Sequence, residues 1–414
     1  MLLNYLKVAF VVFARRKVFT AISLIGITFT LTILLAVTAV LDHIFGSLPP
    51  EVHQARTLGV YSGLMTGHRG SIHSQLSWNL LDRTLRELPG AERVSIIKNI
   101  QVVTSFVAGE KTQRYLKLTD AAFWQILDFA FVEGRPFTAD EVADGSFVAV
   151  INRATRDQLF PNRPALGETI EANGNRYRVI GVVENVPFFR LVPFSDIWAP
   201  TTTDPTYSTS NRVLGTYMGI VLAQSRADFA AIRDQFTSRI RAVDLSVEGD
   251  FDTLYAIPET PFQLVSRLIF AQGRSTQSHA ASLIVLVIVL MVLFMVLPAL
   301  NLVNLNIGRI MERSSEIGVR KAFGARSLTL VGQFVVENIV LTFVGAALSL
   351  VLAYGVLDLF SDSGLVPYAS FHINFRVFAY AVLTALSFGL ISGVYPAWRM
   401  SRLHPVDALR GGAS

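Results

Sequence analysis

The chain has 414 residues, of which 51% are hydrophobic and 16% charged, and its mean hydropathy is +0.46. This balance is too apolar for a soluble globular protein of this length and predicts a membrane protein. The net charge is +5, and the basic residues lie beside the apolar segments, which argues against a nucleic-acid-binding surface. The sequence has no cysteine, which excludes disulfides and thiolate chemistry.

The N-terminal part of the chain predicts a membrane anchor. Residues 1–17 form a short apolar segment, too short to span, which we expect to lie along the cytoplasmic membrane surface. Residues 18–41 carry no charged side chain and are long enough to cross a bilayer. The basic residues before them would also suit a signal peptide. However, the apolar run is longer than a signal peptide needs and no A-x-A cleavage site follows, so we expect a retained first transmembrane helix.

Residues 42–281 read as an extracytoplasmic α/β (α+β) domain, because helix-period and strand-period segments alternate. Asn173-Gly174-Asn175 is a hairpin signal between two strand-like runs. Residues 259–281 have helical spacing and predict a stalk helix continuous with the second membrane span. The predicted helices are 75–88 and 227–243, and the predicted strands are 94–106, 147–151, 177–183 and 217–223.

Enzyme and metal-site motifs are missing from the sequence. There is no P-loop, dinucleotide fingerprint, zinc-protease motif or nucleophile elbow, so we predict no catalytic site, no cofactor and no ATPase activity in this chain. Clustered histidines early in the domain do not match the spacing of a known metal cage, and no metal site is predicted. These histidines are His43, His53, His68 and His73.

Three more apolar blocks, 282–307, 328–357 and 377–395, predict the second, third and fourth spans. Lysine and arginine cluster before the first block, in the loop 308–327 and in the tail 396–414. By the positive-inside rule these segments are cytoplasmic, whereas residues 42–281 and the short loop 358–376 lie outside. The predicted fold is therefore an α-helical membrane protein with four transmembrane helices plus a large α/β extracytoplasmic domain.

Two predicted spans carry small residues four apart, which lets helix backbones approach closely in lipid. This stripe is expected to serve helix packing. Glu337, near the start of the third span, is costly at that depth unless it pairs or reaches the interface. It is either a structural or coupling contact or an interfacial side chain. The stripe consists of Gly345, Ser349 and Ala353 in the third span and Ala381, Ala385, Gly389 and Gly393 in the fourth.

Several segments resemble the MacB/FtsX-type ABC transporter permeases, also called type VII or mechanotransmission proteins. The runs F-V-E-G-R-P-F-T, F-V-A-V-I-N and Y-R-V-I-G-V-V are similar in order and spacing to a MacB-like periplasmic core domain. The loop R-S-S-E-I-G-V-R-K-A-F-G-A and the tail motifs Y-P-A-W-R and P-V-D-A-L-R are similar to the family's permease signatures. These segments are residues 131–138, 147–152, 177–183, 313–325, 395–399 and 405–410.

The loop after the second span is interpreted as the coupling helix that enters a groove of an ATPase. Glu316 and Arg320 are spaced to pair on one helix face, while Ile317 and Phe323 give the helix apolar surface. A loop that is merely solvated would not need those apolar residues. The expected contact residues are Glu316, Ile317, Gly318, Arg320, Lys321, Ala322, Phe323 and Gly324.

The resemblance implies a permease subunit in the bacterial inner membrane, with both termini cytoplasmic and two copies or paralogues bound to a separate MacB-like ABC ATPase. ATP-driven motion of the outer domain would then export a substrate from the periplasm or membrane, with a periplasmic adaptor and outer-membrane channel as possible further partners. The alternative is a regulatory scaffold that controls a periplasmic partner such as a cell-wall hydrolase without transport.

Overall fold

Two strands whose every residue is buried, Val148–Asn152 and Tyr217–Ala223, form the centres of two β-sheets in the computed structural model. The structure describes residues 2–15, 17–68, 70–107, 110–209, 211–271, 278–293, 296, 327–364, 367–368 and scattered positions between 373 and 390. The runs of apolar residues in Val148–Asn152 and Tyr217–Ala223 are typical of strands that are covered on both faces.

The described residues divide into two units. The membrane unit draws on Met1–His43, Val285–Leu365 and Ser370–Ser414. The unit that we call the core domain consists of Ile44–Ile284 together with Val366–Ala369.

The first sheet of the core domain is antiparallel, in the order β1-β13-β3-β2-β14, with β4 paired to β13 and β12 to β3. Helices α3 and α7 cover one face with leucine, isoleucine and phenylalanine side chains. The strands are β1 Thr57–Val60, β2 Gly63–Gly67, β3 Gly70–Leu76, β4 Ala91–Lys98, β12 Leu214–Gly215, β13 Tyr217–Ala223 and β14 Phe251–Ala256, and the helices are α3 Trp78–Leu85 and α7 Phe229–Arg241.

The second sheet is mixed, in the order β5-β6-β11-β8-β10-β7, with β9 paired to β10. The β6–β11 and β8–β10 pairs are parallel. An aromatic-rich cluster that includes Trp198 and Phe123 contains side chains of both sheets. The elements are β5 Gln101–Val107, β6 Glu110–Thr119, α4 Ala121–Ile126, β7 Phe131–Gly134, α5 Ala139–Ala143, β8 Val148–Asn152, α6 Arg153–Leu159, β9 Thr169–Ala172, β10 Asn175–Val183, β11 Ile197–Pro200 and α8 Pro261–Ala271.

The predicted secondary structure of the domain is mostly confirmed. Asn173 and Gly174, with φ of +54° and +77°, form the two-residue turn between β9 and β10, as the sequence predicts. The predicted strand 94–106 is wrong in one respect, because Asn99 and Ile100 interrupt it. The chain leaves the first sheet after β4 and joins the second with β5, so one continuous strand could not serve both.

Two predicted helices have different limits in the structure. Helix α3 begins at Trp78 rather than at residue 75, because Gln75 and Leu76 are strand residues of β3. The Ser77 side chain accepts a hydrogen bond from the Leu80 amide and caps the helix. The prediction of one helix running from the stalk into the second span is also wrong, since Ser278 and His279 are not helical and the next helix, α9, begins at Ala280.

The membrane unit contains α1 Leu2–Arg15, most of α2 Lys17–Phe45, most of α9 Ala280–Leu293, and α10 Ser327–Asp362. Within the described residues, the segments Thr20–Phe45 and Val335–Asp362 are long and apolar enough to cross a membrane. They include most of the predicted first and third spans. Much of the predicted second and fourth spans lies outside the described residues.

Close packing joins α2 and α10 within the membrane unit. The Thr28 hydroxyl donates a hydrogen bond to the Gly345 carbonyl at 3.4 Å, and the Thr32 hydroxyl donates to the Ser349 carbonyl at 3.5 Å. A Cβ added at Gly345 would come within 2.6 Å of the Ile27 Cγ2 atom. Small residues therefore let these two backbones approach each other.

Gly345→Leu is expected to destabilise the membrane unit by about 1–3 kcal/mol, because a larger side chain would push Ile27 away. Gly355→Leu is the matched control, since it lies in the same helix and a Cβ there meets nothing within 4 Å. The measurements are the yield of monodisperse protein and its melting temperature in detergent. Equal losses for both variants would show that the close contact at Gly345 is unimportant.

Candidate transmission site

The chain enters or leaves the core domain at three places: in the last turn of α2, in the first turns of α9, and at the short segment Val366–Ala369. Buried polar groups hold core-domain residues beside the first and third of these places, and a further buried ion pair attaches α8, which precedes α9 in the chain.

Arg190 holds the chain that follows α2. Its guanidinium donates hydrogen bonds to the carbonyls of Gly46 and Leu48, both at 3.1 Å, and to the Glu51 carboxylate at 2.9 Å. Arg190 is 2% exposed and Glu51 8% exposed. Burial raises the pKa of Glu51, and Arg190 opposes that shift by favouring the carboxylate. A buried ion pair with three acceptors on one guanidinium fixes the position of this segment.

Lys117, which is fully buried in β6, supports the same place from inside the domain. Its ammonium donates to the carbonyls of Leu191 at 2.7 Å and Val192 at 2.5 Å. Burial lowers the pKa of Lys117 to about 7, and nearby Glu51 acts in the opposite direction. The adjoining cavity measures about 30 Å³, a volume on the scale of bound water.

The lowered pKa of Lys117 predicts a pH dependence of stability. Between about pH 7 and the unfolded pKa near 10.5, the unfolded chain binds a proton that the folded chain has released, so stability rises with pH. We expect the parent to gain about 2 kcal/mol relative to Lys117→Met between about pH 7 and pH 9. Melting temperatures measured across this range test it. Parallel curves for parent and variant would contradict it.

A second buried ion pair holds the chain that leads towards α9. Arg267 of α8 pairs with Glu259 and donates to the Ser62 hydroxyl at 3.2 Å. The ring of His73 lies 3.3 Å from the Arg267 guanidinium, and burial and this cation lower the pKa of His73. A cationic neighbour disfavours a metal ligand role for His73. Helix α8 is thus attached to strand β3 and to the β1–β2 connection.

The third connection is held by Tyr368. Its phenol donates a 2.7 Å hydrogen bond to Asp196, and the Phe188 amide donates to the Pro367 carbonyl at 3.1 Å. Burial and the Asp196 carboxylate raise the pKa of Tyr368 to about 12. Asp196 also accepts from the Asn152 side chain, so the contact is anchored at the end of β8.

One segment of the core domain, residues 188–196, therefore touches two of the three connections. It binds Gly46 and Leu48 through Arg190, and Pro367 and Tyr368 through Phe188 and Asp196. We call residues 188–196 the junction segment.

Some of the sequence-predicted residues are among the described residues, and others lie outside them. Glu337 is 1% exposed within α10, so its side chain packs against protein rather than extending outwards. Gly345 and Ser349 face α2, and Ala353 is fully buried. Outside the described residues lie Ala381, Ala385, Gly389 and Gly393 of the fourth span and the coupling residues Glu316, Ile317, Gly318, Arg320, Lys321, Ala322, Phe323 and Gly324.

Sequence reasoning did not single out the residues of the three contacts. One signal was available: Arg190 is the only charged residue in the apolar run V-P-F-F-R-L-V-P-F, residues 186–194. A lone cation in such a run needs partners if it is buried. Nothing in the sequence identifies Glu51 or the carbonyls of Gly46 and Leu48 as those partners.

Comparison with known proteins decides the family. A model described as the MacB-like periplasmic core domain matches residues 20–239, and one described as the FtsX-like permease C-terminal matches residues 283–405. The chain belongs to the MacB/FtsX-like family of ABC transporter permeases. The first match, more than half of the chain, includes the junction segment, and the second includes the predicted coupling loop.

Relatives of this permease agree with that assignment. It is 23% identical over 97% of its length to a probable export ATP-binding/permease protein MacB of Pseudomonas entomophila, and covers 58% of that protein. It is 25% identical over 70% of its length to the uncharacterized ABC transporter permease YvrN of Bacillus subtilis, covering 68% of it.

Among solved structures, the permease is similar to the periplasmic region of MacB from Actinobacillus actinomycetemcomitans. The match includes 52% of the permease and 93% of the MacB region, with 16% sequence identity and a TM-score of 0.37. The family assignment rests on the sequence matches. The permease spans 58% of the length of the MacB protein from Pseudomonas, so the activity and partners of that whole protein are treated below as proposals.

Proposed function

We propose that this permease is the membrane subunit of an ABC transporter in which a separate ATPase subunit drives motion of the core domain. The observations that support the proposal are the buried polar contacts at the chain that follows α2 and at Tyr368, together with a further buried ion pair at α8. Flexible linkers would serve to display a domain, whereas fixed connections can transmit force to it.

The proposed topology has four transmembrane helices in the bacterial inner membrane, both termini in the cytoplasm and the core domain in the periplasm. Charge asymmetry beside the apolar blocks supports this arrangement. A reporter fused after Gly70 or Ser208 should be active outside the cytoplasm, and one fused after Ser414 or within residues 314–326 inside it. A reversed result at any of these sites would overturn the topology.

In the proposed transporter, two permease copies or paralogues bind an ATPase dimer. This complex exports a substrate from the periplasm or membrane. The relative from Pseudomonas, a probable export ATP-binding/permease protein, supports this interpretation. The alternative is a regulatory scaffold that controls a periplasmic partner without moving a substrate.

Identification of the proteins that co-purify after mild detergent extraction separates these functions. An ABC ATPase together with a periplasmic adaptor and an outer-membrane channel supports export. An ATPase together with a cell-wall hydrolase supports the regulatory scaffold. Purification of a stable permease that never retains an ATPase from its own cells would contradict both.

A further inference from the structure

The junction segment carries three exposed apolar side chains, Phe188, Phe189 and Leu191. Phe188 and Phe189 are each 37% exposed and Leu191 is 49% exposed, while nearby Leu48 is 41% exposed. Single exposed apolar residues are common, but a cluster of this kind marks an interaction surface. We call Leu48, Phe188, Phe189 and Leu191 the apolar loop patch.

The patch is tied to the end of a membrane helix. Helix α2 ends at Phe45, and Arg190, which lies between two patch residues in the chain, donates hydrogen bonds to the carbonyls of Gly46 and Leu48. Phe45 and Phe189 also line the same small cavity. The patch therefore lies within a few ångströms of the point where the chain leaves α2.

The length of α2 indicates where in the bilayer its C-terminal end lies. Its 29 residues extend about 43 Å at 1.5 Å per residue, close to the roughly 40–45 Å thickness of a bilayer with its headgroups. The end of α2 then falls in the headgroup region, and tilting would bring it nearer the hydrocarbon. Phenylalanine and leucine side chains at that level can enter the lipid interface.

We propose that the apolar loop patch inserts into the lipid headgroup region of the leaflet nearest the core domain, so that lipid is its partner. The patch would then anchor the chain that follows α2 to the bilayer surface. This inference requires that α2 spans the membrane, but it does not depend on which side the core domain faces, on export, or on the identity of the ATPase.

Single-cysteine spin labelling tests the proposal in the full-length permease, because the chain contains no native cysteine. Phe189→Cys is the test position and Phe147→Cys the matched control, a phenylalanine that is 46% exposed in the same domain. Phe147 precedes β8, whereas Asn152 at the far end of β8 contacts Asp196 of the junction segment. Phe147 and Asn152 are five residues apart along the extended chain, which corresponds to about 16 Å.

Each labelled protein is placed in nanodiscs of phosphatidylcholine and phosphatidylglycerol, and its accessibility to oxygen and to a water-soluble nickel chelate is measured. Oxygen concentrates in lipid and the chelate stays in water. We expect an oxygen-to-nickel accessibility ratio several-fold higher at position 189 than at position 147. Leu191→Cys should behave like Phe189→Cys and serves if the first variant does not fold.

Two results would overturn the proposal. Low ratios at both positions 189 and 147, with the nickel chelate reaching both labels freely, would show that the patch faces water. Low accessibility of position 189 to both reagents would show that protein covers it, either a second copy or another partner.

Discussion

Arg190→Met is expected to destabilise the core domain by about 3–5 kcal/mol, because it leaves the Glu51 carboxylate buried without its cation and frees the carbonyls of Gly46 and Leu48. For a domain of this size, that corresponds to a fall in melting temperature of roughly 6–20 °C. The measurement is the thermal unfolding of the purified full-length permease in detergent.

The matched control is Arg153→Met. Arg153 pairs with Glu184 at the same distance, 2.9 Å, but both side chains are about half exposed, so its loss should cost about 0–1 kcal/mol. The double variant Glu51→Gln with Arg190→Met should recover part of the loss, since it removes the unpaired charge. Similar melting temperatures for the Arg190 and Arg153 variants would contradict the structural role of the buried pair.

The outline of this fold could be predicted from the sequence because apolar length and strand periodicity are local signals. Strands β8, β10 and β13 and the Asn173-Gly174 turn all follow from short runs of residues. The break at Asn99 could not be predicted, since it arises from the passage of the chain between two sheets.

The contacts of the candidate site could not be predicted for a related reason. Arg190 and Glu51 are 139 residues apart, and Tyr368 and Asp196 are 172 apart. Such pairings depend on the tertiary arrangement, and one of them involves a short loop between two predicted spans. Only the lone arginine in an apolar run pointed to any part of this site.

The second large effect is expected at the predicted coupling helix. Arg320→Glu combined with Lys321→Glu should weaken binding of the partner ATPase by tens to thousands of fold, because breaking desolvated charge contacts at an interface costs about 2–5 kcal/mol. The permease itself should remain folded and inserted. Pull-down of the ATPase and stimulation of its turnover in nanodiscs measure the effect.

A double charge reversal elsewhere on the chain controls for the change in net charge. Arg153→Glu with Arg163→Glu alters two arginines whose side chains are 47% and 59% exposed in the core domain. This control should bind and stimulate the ATPase like the parent. If the Arg320 and Lys321 variant does so too, the segment is a solvated loop and the ATPase binds elsewhere on the permease.

The central claim is that ATP use by the partner moves the core domain relative to the membrane helices. Spin labels at Phe147→Cys in the core domain and Leu359→Cys in α10, both exposed positions, allow their separation to be measured by pulsed electron resonance in nanodiscs with the ATPase bound. Labelled permease is diluted with unlabelled copies so that only distances within one chain are recorded. We expect the distance distribution to shift between the nucleotide-free and ATP-trapped states, and the shift to disappear with the Arg320 and Lys321 reversal. An unchanged distribution in both states, with the ATPase bound and turning over, would contradict the account.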